Sequence, residues 1–114
     1  MAKLPTPFVQ HILEMMSEWS EVRARSMFGG WGIYADGTMF ALVADNVLYL
    51  KADDENRAAF VAQSLEPFVY QSNGKATTIS YYRAPDEAFD DREVMAHWAQ
   101  TALEAAARKR RKAR

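Results

Sequence analysis

Residues 25–54 read RSMFGGWGIYADGTMFALVADNVLYLKADD, and this stretch decides the fold. Runs rich in Ile, Tyr, Phe, Val and Leu are separated by Asp36-Gly37 and by Asp45-Asn46. Asp, Asn and Gly tolerate the positive φ angles of a type I′ turn, so each dipeptide between apolar runs predicts a tight β-hairpin. The stretch therefore predicts three or four consecutive antiparallel strands.

The two-residue turns also predict which side chains share a face of the sheet. The first turn predicts that Ile33 pairs with Phe40, and the second that Leu42 pairs with Tyr49. Because side chains alternate along a strand, one predicted face carries Met39, Ala41, Val43, Leu48 and Leu50. The other carries Trp31, Ile33, Phe40, Leu42, Val47, Tyr49 and Lys51. Both faces are largely apolar, so we expect helices to cover one, and a protein partner or a second copy of the chain to cover the other. The candidate interaction residues are Trp31, Ile33, Phe40, Leu42 and Tyr49.

The flanking segments predict three helices and a further hairpin. Thr6 followed by Pro7 predicts the first helix start, and Asp53 or Asp54 is expected to cap a second helix that ends near Ser64. The Asn73-Gly74 turn predicts a hairpin that pairs Phe68 with Ile79 and Tyr70 with Thr77. This register puts Phe68, Tyr70, Ile79 and Tyr81 on one side of the hairpin. Asp90 and Glu93 predict a capping box at the last helix. The chain should therefore be an α+β two-layer α/β sandwich with an antiparallel sheet, in the order helix, three or four strands, helix, two strands, helix.

Composition narrows the functional class. The chain has 114 residues, about one domain, and contains no cysteine, which excludes disulfides and thiol chemistry. It has no apolar run of the length that spans a bilayer and no signal-peptide pattern, so we predict a cytoplasmic protein without membrane contact. His11 and His97 stand on separate predicted helices, and no serine, acid and histidine set can be assembled. We therefore predict neither catalysis nor a metal or cofactor.

Basic residues are concentrated at the C-terminus. Residues 108–114 contribute Arg108, Lys109, Arg110, Arg111, Lys112 and Arg114, which leaves eight basic against fifteen acidic residues in the rest of the chain. Such a cluster can contact nucleic-acid phosphates, or it can form a last helical turn whose charge suits the helix dipole. We predict a domain over residues 1–107 and a basic tail over residues 108–114.

Three glycines fall within Phe28-Gly29-Gly30-Trp31-Gly32. A phosphate-binding loop would require a helix after them, but the strand that begins near Ile33 follows instead. The glycines therefore predict a bulge or a sharp bend at the sheet edge. The alternative is a small-ligand or enzymatic site at residues 29–32 together with Arg25 and Tyr82.

Several segments carry a family resemblance. Residues 22–34 (VRARSMFGGWGIY), 39–43 (MFALV), 48–51 (LYLK), 68–70 (FVY), 74–75 (GK) and 81–85 (YYRAP) resemble the N-terminal domain of the TfoX (Sxy) proteins. The resemblance implies a sandwich similar to secretion chaperones and a role in regulating natural competence genes. It implies no catalytic residues. It also implies action through protein contact, in the competence regulators together with the catabolite activator protein.

Full-length competence regulators of this kind also carry a C-terminal helical domain, and we expect this chain to be a single-domain member that lacks it. The expected function is a non-enzymatic regulatory module that binds a protein partner or forms a homodimer. The alternatives are nucleic-acid binding through the tail and the small-ligand or enzymatic site.

Overall fold

The computed structural model describes residues 4–27 and 29–113. The strands are β1 (Val22–Met27), β2 (Gly30–Ala35), β3 (Thr38–Ala44), β4 (Val47–Lys51), β5 (Pro67–Ser72) and β6 (Lys75–Arg83). The helices are α1 (Pro7–Met16), α2 (Arg57–Ala62) and α3 (Arg92–Lys112), with a 3-10 turn at Asp86–Phe89. The strands form one antiparallel sheet in the order β1-β2-β3-β4-β6-β5. The predicted α+β two-layer sandwich is confirmed, with four strands in the first run.

The three predicted hairpin turns form where the sequence places them. Asp36 and Gly37, Asp45 and Asn46, and Asn73 and Gly74 all adopt positive φ, the conformation in which a two-residue turn matches the strand twist. The last turn produces the predicted register, with Phe68 opposite Ile79 and Tyr70 opposite Thr77.

Helix starts follow local capping chemistry, with two corrections. Thr6 Oγ1 accepts the Val9 N–H at 3.3 Å, as predicted for α1. At α3 the cap is Asp91, which accepts the backbone N–H groups of Glu93 and Val94. The predicted capping box at Asp90 is wrong because that residue closes the preceding 3-10 turn.

The second correction concerns α2, which begins at Arg57, three or four residues after its predicted cap at Asp54 or Asp53. Asp53 Oδ1 accepts the N–H groups of Glu55 and Asn56, so it closes a turn of its own before the helix. The helix then runs only from Arg57 to Ala62. Ser64 follows it at φ 58°, a left-handed conformation that no helix continues.

A β-bulge in β3 rearranges the predicted faces. Tyr34 pairs with Met39, but Ile33 pairs with Ala41 and not with Phe40, because Phe40 is an extra residue in the ladder. One extra residue inverts the alternation beyond it. The predicted pairing of Ile33 with Phe40, and the face that joined Phe40 to Leu42, are therefore wrong. One side of the sheet instead carries, on successive neighbouring strands, Ile33, Ala41, Leu50 and Tyr82.

Helices α1 and α3 cover that side and form the core. Phe40 is 0% exposed, and its ring meets Trp19 edge-on at 5.5 Å. Phe60 of α2 lies between Tyr82, at 5.3 Å, and Trp98 of α3, at 5.1 Å. The buried face of α3 is mostly small, since its members are Met95, Trp98, Ala99, Ala102, Ala105 and Ala106. The short alanine side chains let α3 lie close to the sheet.

Candidate interaction surface

The opposite side of the sheet, which we call the open face, carries an apolar groove. The groove encloses about 500 Å³. Its lining is almost entirely apolar or aromatic and consists of Met27, Gly29, Gly30, Trp31, Met39, Leu42, Val43, Ala44, Asp45, Phe68, Tyr70, Ile79 and Tyr81. Neither α1 nor α3 contributes to this lining, so the chain's two main helices leave the groove open.

One wall of the groove is the β5–β6 hairpin. This wall is lined by Phe68, Tyr70, Ile79 and Tyr81, the four residues that the hairpin register predicted to lie on one side. Phe68 packs edge-on against Tyr49 of β4 at 4.9 Å, which anchors the hairpin to the sheet. Tyr70 is 44% exposed, so the upper part of this wall is accessible to a partner.

The other wall contains two methionines that lie above a glycine. A Cβ on Gly32 would come within 2.8 Å of Met27 Sδ and 3.2 Å of Met39 Sδ. Because Gly32 has no side chain, both thioethers can pack directly against the backbone of β2. Methionine is flexible and polarizable, and is overused on surfaces that accommodate different partners.

One charged residue, Asp45, lines the groove, and a second, Lys51, lies just outside its lining, next to Tyr81. Asp45 lies at the β3–β4 turn. Lys51, the last residue of β4, is 7% exposed and holds its Nζ 5.0 Å from the ring centre of Tyr81. Burial and the neighbouring Lys109 ammonium lower the pKa of Lys51. Burial also raises the pKa of Tyr81 to about 12, so this phenol stays neutral at physiological pH.

The five predicted interaction residues divide between the two sides of the sheet. Trp31 is 5% exposed, and Ile33 and Phe40 are fully buried, all within the core. Placing Ile33 and Phe40 on an accessible face is therefore wrong, whereas Trp31 belongs to the core and also borders the groove. The five residues divide because the bulge at Phe40 shifts the alternation of β3. Leu42 and Tyr49 are half-buried and pair with each other, and Leu42 lines the groove. Sequence reasoning grouped the aromatic residues of β5 and β6 correctly but did not place them on the same side as Leu42.

The basic tail is mostly helical and partly engaged by the domain. Helix α3 runs through Lys112, so it crosses the boundary predicted at residue 107. Arg108 bonds both carboxylate oxygens of Asp53, at 2.6 and 2.9 Å, and approaches Glu55 at 2.9 Å. Arg110 donates to the Thr38 hydroxyl. Lys109, Arg111 and Lys112 are exposed, and Arg114 lies outside the described residues.

The alternative ligand site is not assembled. Arg25 is exposed on β1, with its guanidinium 5.7 Å from the ring centre of Tyr34. Tyr82 lies on β6, with three strands between, and packs against Phe60 on the helical side. Gly29, at φ +79°, leads into a strand and not into a helix, and Phe28 lies outside the described residues. Within residues 4–27 and 29–113, no group of three His, Cys, Asp or Glu side chains could hold a metal ion.

The ion pair between Arg108 and Asp53 predicts a specific acid sensitivity. The hydrogen bond from Arg108 is the main cause that lowers the pKa of Asp53 to about 2. A depressed carboxyl pKa stabilises the fold above the unfolded value near 4, and this contribution is lost as pH falls toward 2. Replacing Asp53 with Asn should remove about 1–2 kcal/mol at pH 7 and much less at pH 2, as measured by urea unfolding at both pH values. Asp54→Asn, which alters an exposed neighbour, is the control; an equal loss from both variants would contradict the assignment.

None of the described helices is both long and apolar enough to cross a membrane. Helix α3 has the length, but Lys and Arg occupy its last turns.

Comparison with known proteins gives the family. The model described as the TfoX N-terminal domain matches residues 14–106. Protein Sxy of Escherichia coli (strain K12) is 27% identical over 93 residues, which cover 82% of this chain and 44% of Sxy. DNA transformation protein TfoX1 of Aliivibrio fischeri (strain ATCC 700601 / ES114) is 36% identical over 58 residues, which cover 51% of this chain and 28% of TfoX1. The chain therefore spans less than half the length of either relative. Because the family model covers most of its residues and the resemblance noted in the sequence is confirmed, the chain belongs to the TfoX N-terminal domain family.

Proposed function

We propose that this chain is a non-enzymatic regulatory module of competence gene expression that acts in the cytoplasm by contacting another protein through the groove. Its similarity to Sxy and to TfoX1 supports a regulatory role. The observation that carries the contact mechanism is the apolar groove on the open face, which α1 and α3 leave uncovered. Apolar concavities of this kind on a folded domain mark interaction sites.

The chemistry of the lining favours binding over catalysis. Among the described residues that line the groove, the ionisable side chains are Asp45, Tyr70 and Tyr81. A phenol held neutral by a pKa of about 12 is a poor general base at neutral pH. Aromatic residues and methionine, by contrast, are the side chains enriched at protein interfaces.

The test of this function compares two adjacent residues of β5. Tyr70 lines the groove and is 44% exposed, whereas Val69, which alternates to the other side, is 46% exposed. An aspartate at either position should leave the fold intact, but only Tyr70→Asp places a charge in the groove. In the source bacterium deleted for this chain, we expect wild type and Val69→Asp to restore competence-gene transcripts. Tyr70→Asp should leave them about tenfold lower, because a desolvated unpaired charge costs more than 1.4 kcal/mol of binding.

Two results would contradict the proposal in different ways, once immunoblots show equal protein levels. If deletion leaves competence transcripts unchanged, the regulatory role is wrong. If Tyr70→Asp restores them as fully as Val69→Asp does, the groove is not the contact surface.

A second candidate function, contact with nucleic-acid phosphate, is favoured by the exposed end of α3. No ion pair with a described acidic residue engages Lys109, Arg111 or Lys112. Three phosphate contacts predict a slope of about −3 when the logarithm of the duplex DNA binding constant is plotted against the logarithm of salt concentration. Changing all three residues to Gln should abolish this slope, as measured by fluorescence anisotropy. Binding that is unaffected by the triple change would dismiss the contact.

A further inference from the structure

The groove lies along a strand that offers no free backbone edge. The groove follows β3 from Met39 through Leu42, Val43 and Ala44 to Asp45 of the next turn, a length of about 20 Å at the usual rise per residue. Strand β3 pairs with β2 and β4, and β4 pairs with β6, so the backbone groups of the central strands already bond within the sheet. An extended peptide binds by adding to a free strand edge, whereas a helix satisfies its own backbone and presents only side chains. The groove therefore suits a helix.

Asp45 in the groove and Lys51 beside its lining residue Tyr81 give that helix a direction. Asp45 lies at one end, and Leu50 pairs with Ala41, so Lys51 lies at the opposite, Met39 end of β3. Within the described residues, no acidic side chain forms an ion pair with Lys51. Asp53, the nearby acid, is held by two bonds from Arg108. A buried ammonium without an acidic partner is a position where binding of an anionic group is favourable.

We propose that the occupant of the groove is an amphipathic α-helix of a protein partner, of about 13 residues, with its N-terminus at Asp45 and an acidic C-terminal end at Lys51. This inference rests on the proposed function and names its partner. The positive end of the helix dipole then faces Asp45, and the negative end faces Lys51. Apolar side chains at i, i+3, i+4 and i+7 fill the space between the β5–β6 hairpin and the two methionines.

The test uses two synthetic 14-residue peptides that share one Leu-rich stripe at i, i+3, i+4, i+7 and i+11. The forward peptide has Lys in its first turn, Glu in its last turn and a free C-terminal carboxylate. The reversed peptide has acetyl-Glu in its first turn and an amidated Lys end. The reversed peptide is the better isolated helix, because its charges complement its own dipole. A preference of the protein for the forward peptide therefore cannot come from peptide helicity.

We expect the full chain to bind the forward peptide about tenfold more tightly, as measured by fluorescence anisotropy of labelled peptide. Tyr70→Asp should abolish binding and Val69→Asp should retain it. Asp45→Asn combined with Lys51→Met should reduce the preference to below about twofold. The double variant should fold, because methionine keeps the length and apolar character of the lysine stem. If it does not fold, Asp45→Asn alone, at an exposed turn, should already halve the preference for the forward peptide.

Equal binding of the two peptides would overturn the proposed direction. If neither peptide binds while Tyr70→Asp still abolishes regulation in cells, the helical occupant is wrong and the proposed function stands. Light scattering of the chain alone measures whether the chain forms a dimer. A dimer that Tyr70→Asp dissociates, with no peptide binding, would assign the groove to a second copy of this chain and overturn the proposal.

Discussion

Replacing Phe40 with Ala is expected to lower the free energy of unfolding by about 3–5 kcal/mol. The ring is fully buried where α1 and α3 cover the sheet, and it contacts Trp19 edge-on at 5.5 Å. Truncation removes this apolar contact and leaves a cavity that the bulged backbone of β3 cannot readily close. A domain of this size is stable by about 5–15 kcal/mol in total, so the variant should lose a large share of its stability. Equilibrium unfolding in urea measures the difference.

Leu42→Ala is the matched control, because the simple hairpin register placed Leu42 on the same face as Phe40. Leu42 is half-buried and lines the groove on the open face. Its truncation should cost about 1–2 kcal/mol, since the side chain is only partly removed from water. A loss from Leu42→Ala that equals the loss from Phe40→Ala would mean that the bulge does not separate the two residues.

The sequence predicts the parts of this fold that depend on neighbours along the chain. Turn dipeptides such as Asn73-Gly74 require a left-handed backbone that few residues adopt, so both the turn and its register could be read from them. Thr6 with Pro7 gave the start of α1 for the same local reason. At α3 the local signal was ambiguous by one position, since Asp90 and Asp91 can each cap a helix and only the preceding 3-10 turn decides between them.

The bulge could not be predicted because its cause lies far from Phe40 in the sequence. An extra residue in β3 is stabilised when its ring enters the core beside Trp19, which follows α1. No turn residue signals this arrangement. Because a shift of one residue inverts a whole strand, this single feature divided the five predicted interaction residues between the two sides of the sheet. It also joined Leu42 to the aromatic side of the β5–β6 hairpin.

The contacts of the basic residues in the tail could not be predicted from the sequence either. A cluster of basic residues indicates electrostatic potential but not which side chains are already paired. Arg108 meets Asp53 across 55 positions and Arg110 meets Thr38 across 72. Both contacts depend on how α3 crosses the sheet, a property of packing that residue spacing does not contain.

Gly30→Ala is the second change for which we expect a large effect. A Cβ at Gly30 would collide with the carbonyl oxygen of Val43, a backbone atom of the neighbouring strand. Because the spacing between paired strands is fixed by their hydrogen bonds, β2 and β3 would have to separate locally. We expect a loss of about 3 kcal/mol or more in the free energy of unfolding, measured by urea denaturation.

Gly32→Ala provides the contrast from the same strand. Its Cβ would meet Met27 Sδ, Met39 Sδ and Tyr34 Cε1, which are all side-chain atoms. The two methionines can rotate away, so the stability loss should be about 1 kcal/mol or less. The displaced thioethers would instead rise into the groove and weaken binding of the forward peptide. We thus expect Gly30→Ala to reduce stability and Gly32→Ala to reduce peptide affinity. Equal stability losses from the two variants, with unchanged affinity for the forward peptide, would contradict both assignments.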